Sequence, residues 1–181
     1  MRIMGVDAST KSFAYCLMEN GKILSYGQYF YEGSNLIERL SDSLLKHQAI
    51  ANMDEFKDID YVVFEAAVNV RSQSTLIAMA KSFGIAEAIW ASKGAIIVEV
   101  TPMTWQSYIG NPNITGSVKR DFVLARPFLK TKSQIDKYVR EYRKKVTMDW
   151  AEAKYGIKAE TDDVSDAVGI SSWAYDKIGQ L

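Results

Sequence analysis

Two short apolar segments that each end in a carboxylate constrain the fold of this chain more than any other feature. Residues 3–6 run into Asp7, and residues 61–64 run into Glu65. A short apolar run that stops at turn residues is typical of a buried β-strand. If the two strands pair in parallel, Asp7 and Glu65 lie side by side at one edge of the sheet. A carboxylate there is costly unless an arginine, a lysine or a metal ion meets it, and we predict a divalent metal ion.

Hydrophobic periodicity and turn residues predict the other elements. Residues 12–19 and 22–31 flank the turn Asn20-Gly21, which indicates that the chain opens with an antiparallel meander of three strands. Further predicted elements are a fifth strand at 95–100, a short helix from Thr101-Pro102, and helices at 35–51, about 74–90, 118–125, 132–154 and 162–178. This order predicts an α/β fold with a mixed five-stranded sheet and helices on both faces, and we expect one domain over residues 1–181.

The last predicted helix contributes two more acids. Asp163 and Asp166 are three residues apart and share a helical face, whereas Asp162 points elsewhere and can favour the helix N-terminus. Together with the two strand-end acids they would repel one another strongly unless cations lie between them. Two divalent ions about 3.5–4 Å apart would neutralise them and could hold a phosphate. Asp162 is the alternative to Asp163 as the ligand.

Each acid also has an ordinary structural explanation. Asp7 could cap a turn, Glu65 could pair with Arg71, and the acids within 162–166 could be typical of a helix start. For the last helix alone, the ordinary explanation is the better one. The combination of two strand-end acids with an i,i+3 pair favours the metal site.

Composition limits the kind of metal and the compartment. A single histidine, His47, and a single cysteine, Cys16, exclude zinc sites of the usual His/Cys kind. Oxygen ligands indicate Mg²⁺ or Mn²⁺. We expect Cys16 to be a buried thiol and His47 to lie at a surface or partly buried position of a helix. The lone cysteine, the lack of signal-peptide features and the lack of a membrane-length apolar run favour a reducing, cytoplasmic location.

Charge is unevenly distributed although the net charge is zero. Residues 117–158 carry 12 Lys/Arg against 5 Asp/Glu, a net of +7, so the rest of the chain has a net of −7. A basic segment beside an acidic cluster is typical of an enzyme that acts on polyanions, although a solvated helix face explains the charge alone equally simply. The residues predicted to contact DNA phosphates are Arg120, Lys132, Lys137, Arg140, Arg143, Lys144 and Lys145.

The helix predicted near 74–90 is apolar around most of its circumference, so it should be buried on more than one side. The core of a monomer and a dimer interface explain this pattern equally well. For the dimer we predict that Met79 and Phe83, four residues apart on one stripe, cross the two-fold axis.

Four motifs in order resemble those of RuvC-type Holliday-junction resolvases, which have a ribonuclease-H-like fold. Residues 3–9 (IMGVDAS) are similar to the first motif, although Ala8-Ser9 stand where the family usually has Pro-Gly. Val-Phe-Glu at 63–65 matches the second acid, and 163–170 (DVSDAVGI) matches the closing Asp-x-x-Asp-Ala helix. The intervening stretch fits the family's Thr-Pro, Thr-Gly and functional lysine with Thr101-Pro102, Thr115-Gly116 and Lys119. The resemblance covers residues 1 to about 125 and 161 onward.

This resemblance implies a homodimeric endonuclease that cuts two symmetry-related strands of a four-way junction and leaves 5′-phosphate and 3′-hydroxyl ends. It implies two Mg²⁺ or Mn²⁺ ions per active site, with water as the nucleophile. Lys119 would pair with the scissile phosphate and so both bind DNA and act in catalysis. The metal ligands would be Asp7, Glu65, Asp163 and Asp166.

The chain departs from the family pattern at two positions that concern the junction. Gln106 stands in place of a second lysine, and Val68 in place of an aromatic residue that some members insert into the junction. The basic segment at about 127–158 is a longer helical insertion than typical bacterial members have and resembles the phage-type branch, which allows a location in a host cytoplasm. The alternatives are a branch or flap nuclease of the same fold, an inactive DNA-binding protein, and an actin-like ATPase or phosphate-binding module.

Overall fold

The computed structural model describes residues 1–68 and 72–178, and its centre is a five-stranded mixed sheet. The strands are β1 (Arg2–Ala8), β2 (Ser12–Glu19), β3 (Lys22–Phe30), β4 (Tyr61–Glu65) and β5 (Ile96–Val100). Their spatial order is β3-β2-β1-β4-β5. β1 pairs with β2, and β2 with β3, in antiparallel fashion, whereas β1–β4 and β4–β5 are parallel. The predicted mixed sheet is therefore confirmed.

Six α-helices and a short 3₁₀ helix complete the described elements. They are α1 (Leu36–Ile50), the 3₁₀ helix (Asp54–Phe56), α2 (Gln73–Ser92), α3 (Pro102–Tyr108), α4 (Gly116–Ala125), α5 (Lys132–Tyr155) and α6 (Asp162–Ile178). Local signals set their ends: Thr131 and Gln134 form a capping box at the start of α5, and Gly156 ends it with a φ of 72°. The β2–β3 turn has positive φ at both Asn20 and Gly21, as the sequence predicted. Within the described residues, no helix is both long enough and apolar enough to span a bilayer.

The sheet is covered on both faces, which explains why its central strands are apolar throughout. Met4 and Val6 of β1 point to the side covered by α1 and α2, where they join Phe64 and Trp90 in one core cluster. Ile3 points to the opposite side and packs with residues of α3 and α6 in a second cluster. Alternation along β1 therefore directs its side chains into two separate cores.

His47 is fully buried, so the predicted surface or partly buried position is wrong. Its Nε2 lies 2.8 Å from the hydroxyl of Tyr31, and the ring of Phe13 packs edge-on against it at 4.4 Å. Burial lowers the pKa of His47 to about 4, so the imidazole is neutral at pH 7. Cys16 is buried as predicted, and burial raises the pKa of its thiol to about 12.

The contact between α6 and β1 requires a glycine. The amide of Gly5 donates to Oγ of Ser171 at 2.7 Å, and that hydroxyl donates onward to the carbonyl of Cys16 in β2. A Cβ on Gly5 would lie 2.4 Å from the backbone nitrogen of Ser171 and 2.6 Å from the carbonyl oxygen of Ala167. The helix therefore rests directly on the strand backbone, and this contact fixes where the N-terminus of α6 lies.

We expect Gly5→Ala to lower the free energy of unfolding by about 1–3 kcal/mol or more, because the methyl group meets backbone that cannot yield without moving α6. Gly84→Ala is the matched control, since a Cβ at this position of α2 meets nothing within 4 Å. It should raise stability by up to about 1 kcal/mol through helix propensity. Urea unfolding of both variants measures the difference, and equal values for the two would contradict the close contact at Gly5.

Candidate active site

Asp7 and Glu65 lie at the same edge of the sheet because β1 and β4 are parallel neighbours. Val6 pairs with Phe64, so the two carboxylates follow one residue further along each strand. Both side chains are partly buried. Burial raises the pKa of Glu65, while a hydrogen bond from Trp105 and the charge of Arg143 act in the opposite direction.

The first turn of α6 brings two more carboxylates to this edge. Burial raises the pKa of Asp7 well above its ordinary value, and the negative charges of Asp166, Glu65 and Asp163 raise it further, in that order. The pKa of Asp166 is likewise raised by burial and then by Glu65. The structure therefore places the four predicted acids within electrostatic reach of one another.

Glu65 is oriented by a buried tryptophan. Nε1 of Trp105, which is fully buried, donates to Oε2 of Glu65 at 2.7 Å. The ring lies against Gly169 of α6, where an added Cβ would come within 2.6 Å of it. Gly169 thus leaves space for the Trp105 indole, and the indole in turn orients Glu65.

Asp163 and Asp162 have different partners, which separates their roles. Nε2 of Gln28 donates to Oδ2 of Asp163 at 2.7 Å, and Oε1 of Gln28 accepts from Thr161 at 2.7 Å. Thr161 in turn accepts from the amide of Val164 and so caps α6, as predicted. Asp162 instead forms an ion pair with Lys144 of α5. Asp163 is thus held by a neutral amide and Asp162 by a cation, although the charges of both raise the pKa of Asp7.

The chemistry of the four carboxylates suits a hard divalent cation. They offer oxygen donors alone, and their repulsion is relieved when positive charge lies between them. Within residues 1–68 and 72–178, no three His, Cys, Asp or Glu side chains are drawn together into a complete metal-ligand set. The fit to a magnesium- or manganese-type ion therefore lies in the oxygen donors of the four carboxylates and not in a ligand set that is already assembled.

Lys119 lies beside this site rather than inside it. Its Nζ forms an ion pair with Oδ1 of Asp136 at 3.1 Å. Lys119 and Asp166 nevertheless line the same cavity, whose volume is about 280 Å³. The other residues that line this cavity are Gln106, Asn111, Val139, Arg140, Arg143, Lys144 and Thr147.

Arg143 is a functional candidate whose place the sequence did not indicate. Its guanidinium donates to Oε1 of Gln106 and to the carbonyl of Asn111, the latter at 3.0 Å. The amide of Asn111 returns two hydrogen bonds, to the Arg143 carbonyl at 2.8 Å and to Thr147 at 3.0 Å. Burial lowers the pKa of Arg143, and the charges of Asp166 and Glu65 oppose that effect. The side chain is thus a fixed cation beside the carboxylates, not a member of the solvated helix face.

The remaining predicted DNA-binding residues are solvent-exposed: Arg120, Lys132, Lys137, Arg140, Lys144 and Lys145. Some have acidic neighbours along α5, such as the pair of Lys145 with Asp149 at 2.9 Å. Exposed pairs of this kind contribute little to stability, so they leave the cations free to exchange partners.

The prediction that Phe83 crosses a two-fold axis is wrong, because Phe83 is buried inside the protomer and its ring lies 6.4 Å from that of Phe64. Met79 is partly buried. The large apolar side chains that α2 exposes are instead Leu76 and Ile77. Arg71, the predicted alternative partner of Glu65, lies outside the described residues.

We expect Asp7→Asn to raise the thermal stability of the metal-free protein at pH 8. A carboxyl whose pKa is raised on folding favours the folded state below its unfolded pKa, and this contribution is lost as pH rises through the folded value. The Tm gain should be about 2–4 °C for each kcal/mol of repulsion removed, and it should shrink toward acidic pH. Thermal unfolding in EDTA measures it.

The matched control is Asp54→Asn, because Asp54 is exposed on the 3₁₀ helix and should show no such gain. Adding Mg²⁺ should raise the Tm of the wild type more than that of Asp7→Asn, since a ligand that binds the native state stabilises it. Identical Mg²⁺ shifts in both proteins would contradict the assignment of Asp7 as a ligand.

Comparison with known proteins identifies the fold. No protein-family model and no curated protein matches this chain. The structure of T. thermophilus RuvC in complex with a Holliday junction substrate is similar, with a TM-score of 0.69 at 11% identity, covering 99% of this chain and 97% of that one. A second Thermus thermophilus RuvC structure gives 0.66 at 12% identity, with the same coverage of 99% and 97%. At such low identity the similarity concerns the fold alone, and the chain has the ribonuclease-H-like α/β fold of RuvC, as its motifs predicted.

Proposed function

We propose that this protein is a metal-dependent endonuclease that resolves four-way DNA junctions in the cytoplasm. The observation that carries the proposal is that Asp7, Glu65, Asp163 and Asp166 lie at one edge of the sheet, where Asp166 lines a cavity that also contains cationic side chains. Carboxylates that can hold divalent ions, next to cations that can hold phosphate, are the parts that hydrolysis of a phosphodiester requires. The similarity in fold to a RuvC structure that contains a Holliday junction substrate supports junction DNA as the substrate.

The proposed ligands are Asp7, Glu65, Asp163 and Asp166, with two Mg²⁺ or Mn²⁺ ions expected. When bound, such ions lower the pKa of water and neutralise charge that develops on the phosphate. Trp105 and Gln28 orient two of the carboxylates through their hydrogen bonds. The oxygen of a water molecule forms a new bond to phosphorus as the bond to the 3′ oxygen breaks, and the 3′ oxygen takes up a proton. The products carry 5′-phosphate and 3′-hydroxyl ends.

The cations of the cavity would hold the scissile phosphate. Lys119 must leave Asp136 to do so, and the exchange is inexpensive because both side chains are partly exposed. Arg143 is already held by Gln106 and Asn111, so it needs little reorganisation. A preorganised guanidinium stabilises phosphate charge better than a mobile one.

We further propose that the chain acts as one nuclease domain over residues 1–181, in which the basic helical insertion at about 127–158 contacts the junction arms. Phosphate contacts dominate such binding, so it should depend steeply on salt. Paired cuts in a two-fold symmetric junction need two active sites, and a homodimer supplies them. With Phe83 buried, the proposed interface lies on the exposed apolar part of α2, near Leu76, Ile77 and Met79.

Incubation with labelled four-way junction, flap and linear duplex, each with Mg²⁺ and with EDTA, tests the proposal. We expect paired symmetric nicks in the junction, little cutting of the duplex, and no cutting in EDTA. Asp7→Asn should abolish cleavage but retain junction binding, because it removes a ligand and also reduces acidic repulsion toward DNA. Light scattering of the wild type with junction reports the oligomeric state.

A preference for flaps over junctions would replace the proposed substrate with that of a branch nuclease. Undiminished cleavage by Asp7→Asn, or cleavage in EDTA, would refute the active site itself. Asp54→Asn serves as the control for a surface charge change and should cut at the wild-type rate.

A second prediction separates two residues of α5 that the sequence treated alike. Arg143→Ala should lower the single-turnover cleavage rate at saturating protein by about 10²–10³-fold, because it removes a preorganised cation from the cavity. Lys145→Ala also removes one positive charge, but from the exposed face of the helix. This variant should mainly weaken DNA binding and reduce the slope of log K against log salt by about 1.

Single-turnover rates, binding isotherms and salt titrations on one junction measure these effects. Arg143→Lys, which keeps the charge but loses the fork geometry, should fall between the wild type and Arg143→Ala. Equal effects of Arg143→Ala and Lys145→Ala on rate and on salt slope would show that Arg143 belongs to the solvated face.

A further inference from the structure

A second cavity adjoins the proposed active site, between α4 and α5. Its volume is about 560 Å³, and its walls include the aliphatic side chains of Val123, Leu124 and Ile135. This volume falls within the range typical of small-ligand sites. The remaining residues that line it are Gly116, Lys119, Arg120, Lys132 and Asp136.

The chemistry of this cavity combines an apolar interior with a basic rim. Leu124 is 80% exposed and lines the groove together with Val123 and Ile135, so the three side chains offer an apolar surface that a ligand can reach. Lys119, Arg120 and Lys132 supply positive charge at the rim, while the acid Asp136 is paired with Lys119. A ligand with a flat apolar face and an attached anion matches this pattern, and a nucleotide is such a ligand.

The two cavities are adjacent and share two lining residues. Lys119 and Asp136 line both the cavity that contains Asp166 and the cavity between α4 and α5. A phosphate held by Lys119 next to the carboxylates therefore lies at the mouth of the apolar groove. From that position the sugar and base bonded to the phosphate would reach Val123, Leu124 and Ile135 of the groove.

The wall formed by α4 is attached to α5 and not to the core of the sheet. No residue of α4 is buried. Its Phe122 ring packs against Tyr138 at 5.4 Å and Tyr142 at 5.0 Å, and Arg126 lies 4.7 Å above the Tyr138 ring. This aromatic cluster fixes the helix on one side and leaves the groove itself open, so a base can enter without disturbing the main core.

We propose that the groove between α4 and α5 binds the unpaired base of the nucleotide next to the cleaved phosphate. The inference rests on the proposed nuclease function. A base inside a duplex has both faces stacked and its edge paired, so it must leave the stack to contact aliphatic walls. Such walls contact the face of any base, and the groove therefore selects for unpaired or easily unpaired nucleotides at the cut, not for one sequence.

The test places 2-aminopurine, whose fluorescence is quenched by stacking, at each nucleotide flanking the cut mapped for the wild type. In EDTA, binding of wild-type protein to the junction should raise the fluorescence of one flanking probe severalfold, because the base leaves the stack and meets no aromatic ring. The same probe in the middle of a junction arm should not respond.

Leu124→Asp should abolish the fluorescence rise and slow single-turnover cleavage by about tenfold, because it places a negative charge in the groove. Leu45→Asp is the matched control, since Leu45 is 64% exposed on α1 and lies on the opposite side of the sheet. That variant should keep both the fluorescence rise and the cleavage rate. Both leucines are exposed, so neither substitution should disturb the packing of the core. Circular dichroism verifies that both variants fold.

The failure of this inference is distinguishable from the failure of the proposed function. Normal junction cleavage with no response from either flanking probe would overturn the base pocket and leave the nuclease intact. A change in the oligomeric state of Leu124→Asp, with probe signals unchanged, would assign the groove to a second copy of the chain and overturn the inference. Absence of junction binding and cleavage by the wild type would overturn both.

Discussion

The direct contact of α6 with the backbone of β1 at Gly5 is the constraint on which the candidate site depends. Two of the four acids lie on strands and two on a helix, so their convergence requires that the helix lie against the sheet at one fixed position. Gly5 and Ser171 provide that position through a buried hydrogen bond and a backbone approach that no larger residue permits. Energy released by packing at this contact offsets the repulsion that the carboxylates would otherwise impose on folding.

Much of the fold was predictable because its signals are local. Hydrophobic runs ending in Asp7 and Glu65, the Asn20-Gly21 turn, and Thr161 before an apolar-periodic segment each determine an element without reference to distant residues. The strand-end position of two acids also indicated that they would meet, since parallel neighbours end at one edge. These features supplied the sheet and the acids of the site.

The features that the sequence did not reveal depend on tertiary packing. Periodicity placed His47 and Phe83 on helices but could not identify which neighbours would cover them, and both are buried. Composition grouped Arg143 with the lysines of α5, although α3 and the loop at Asn111 turn it inward. Arg143 donates to residues that lie 32 and 37 positions earlier in the chain, and the pattern of residues along one helix does not predict such contacts. Only the fold separates an inward cation from its exposed neighbours.

The distribution of polar contacts divides the cations around the site into two classes. Lys119 and Lys144 pair with the acids Asp136 and Asp162 across partly exposed surfaces, where water screens the interaction and exchange for phosphate costs little. Arg143 instead donates its hydrogen bonds to neutral groups, and the carboxylates of Asp166 and Glu65 act on its charge without accepting a hydrogen bond from it among the described residues. A carboxylate partner would cancel that charge, whereas amide and carbonyl oxygens orient the guanidinium without neutralising it. The site therefore combines mobile cations that can attract a polyanion with one fixed cation that can hold a single phosphate against the carboxylates.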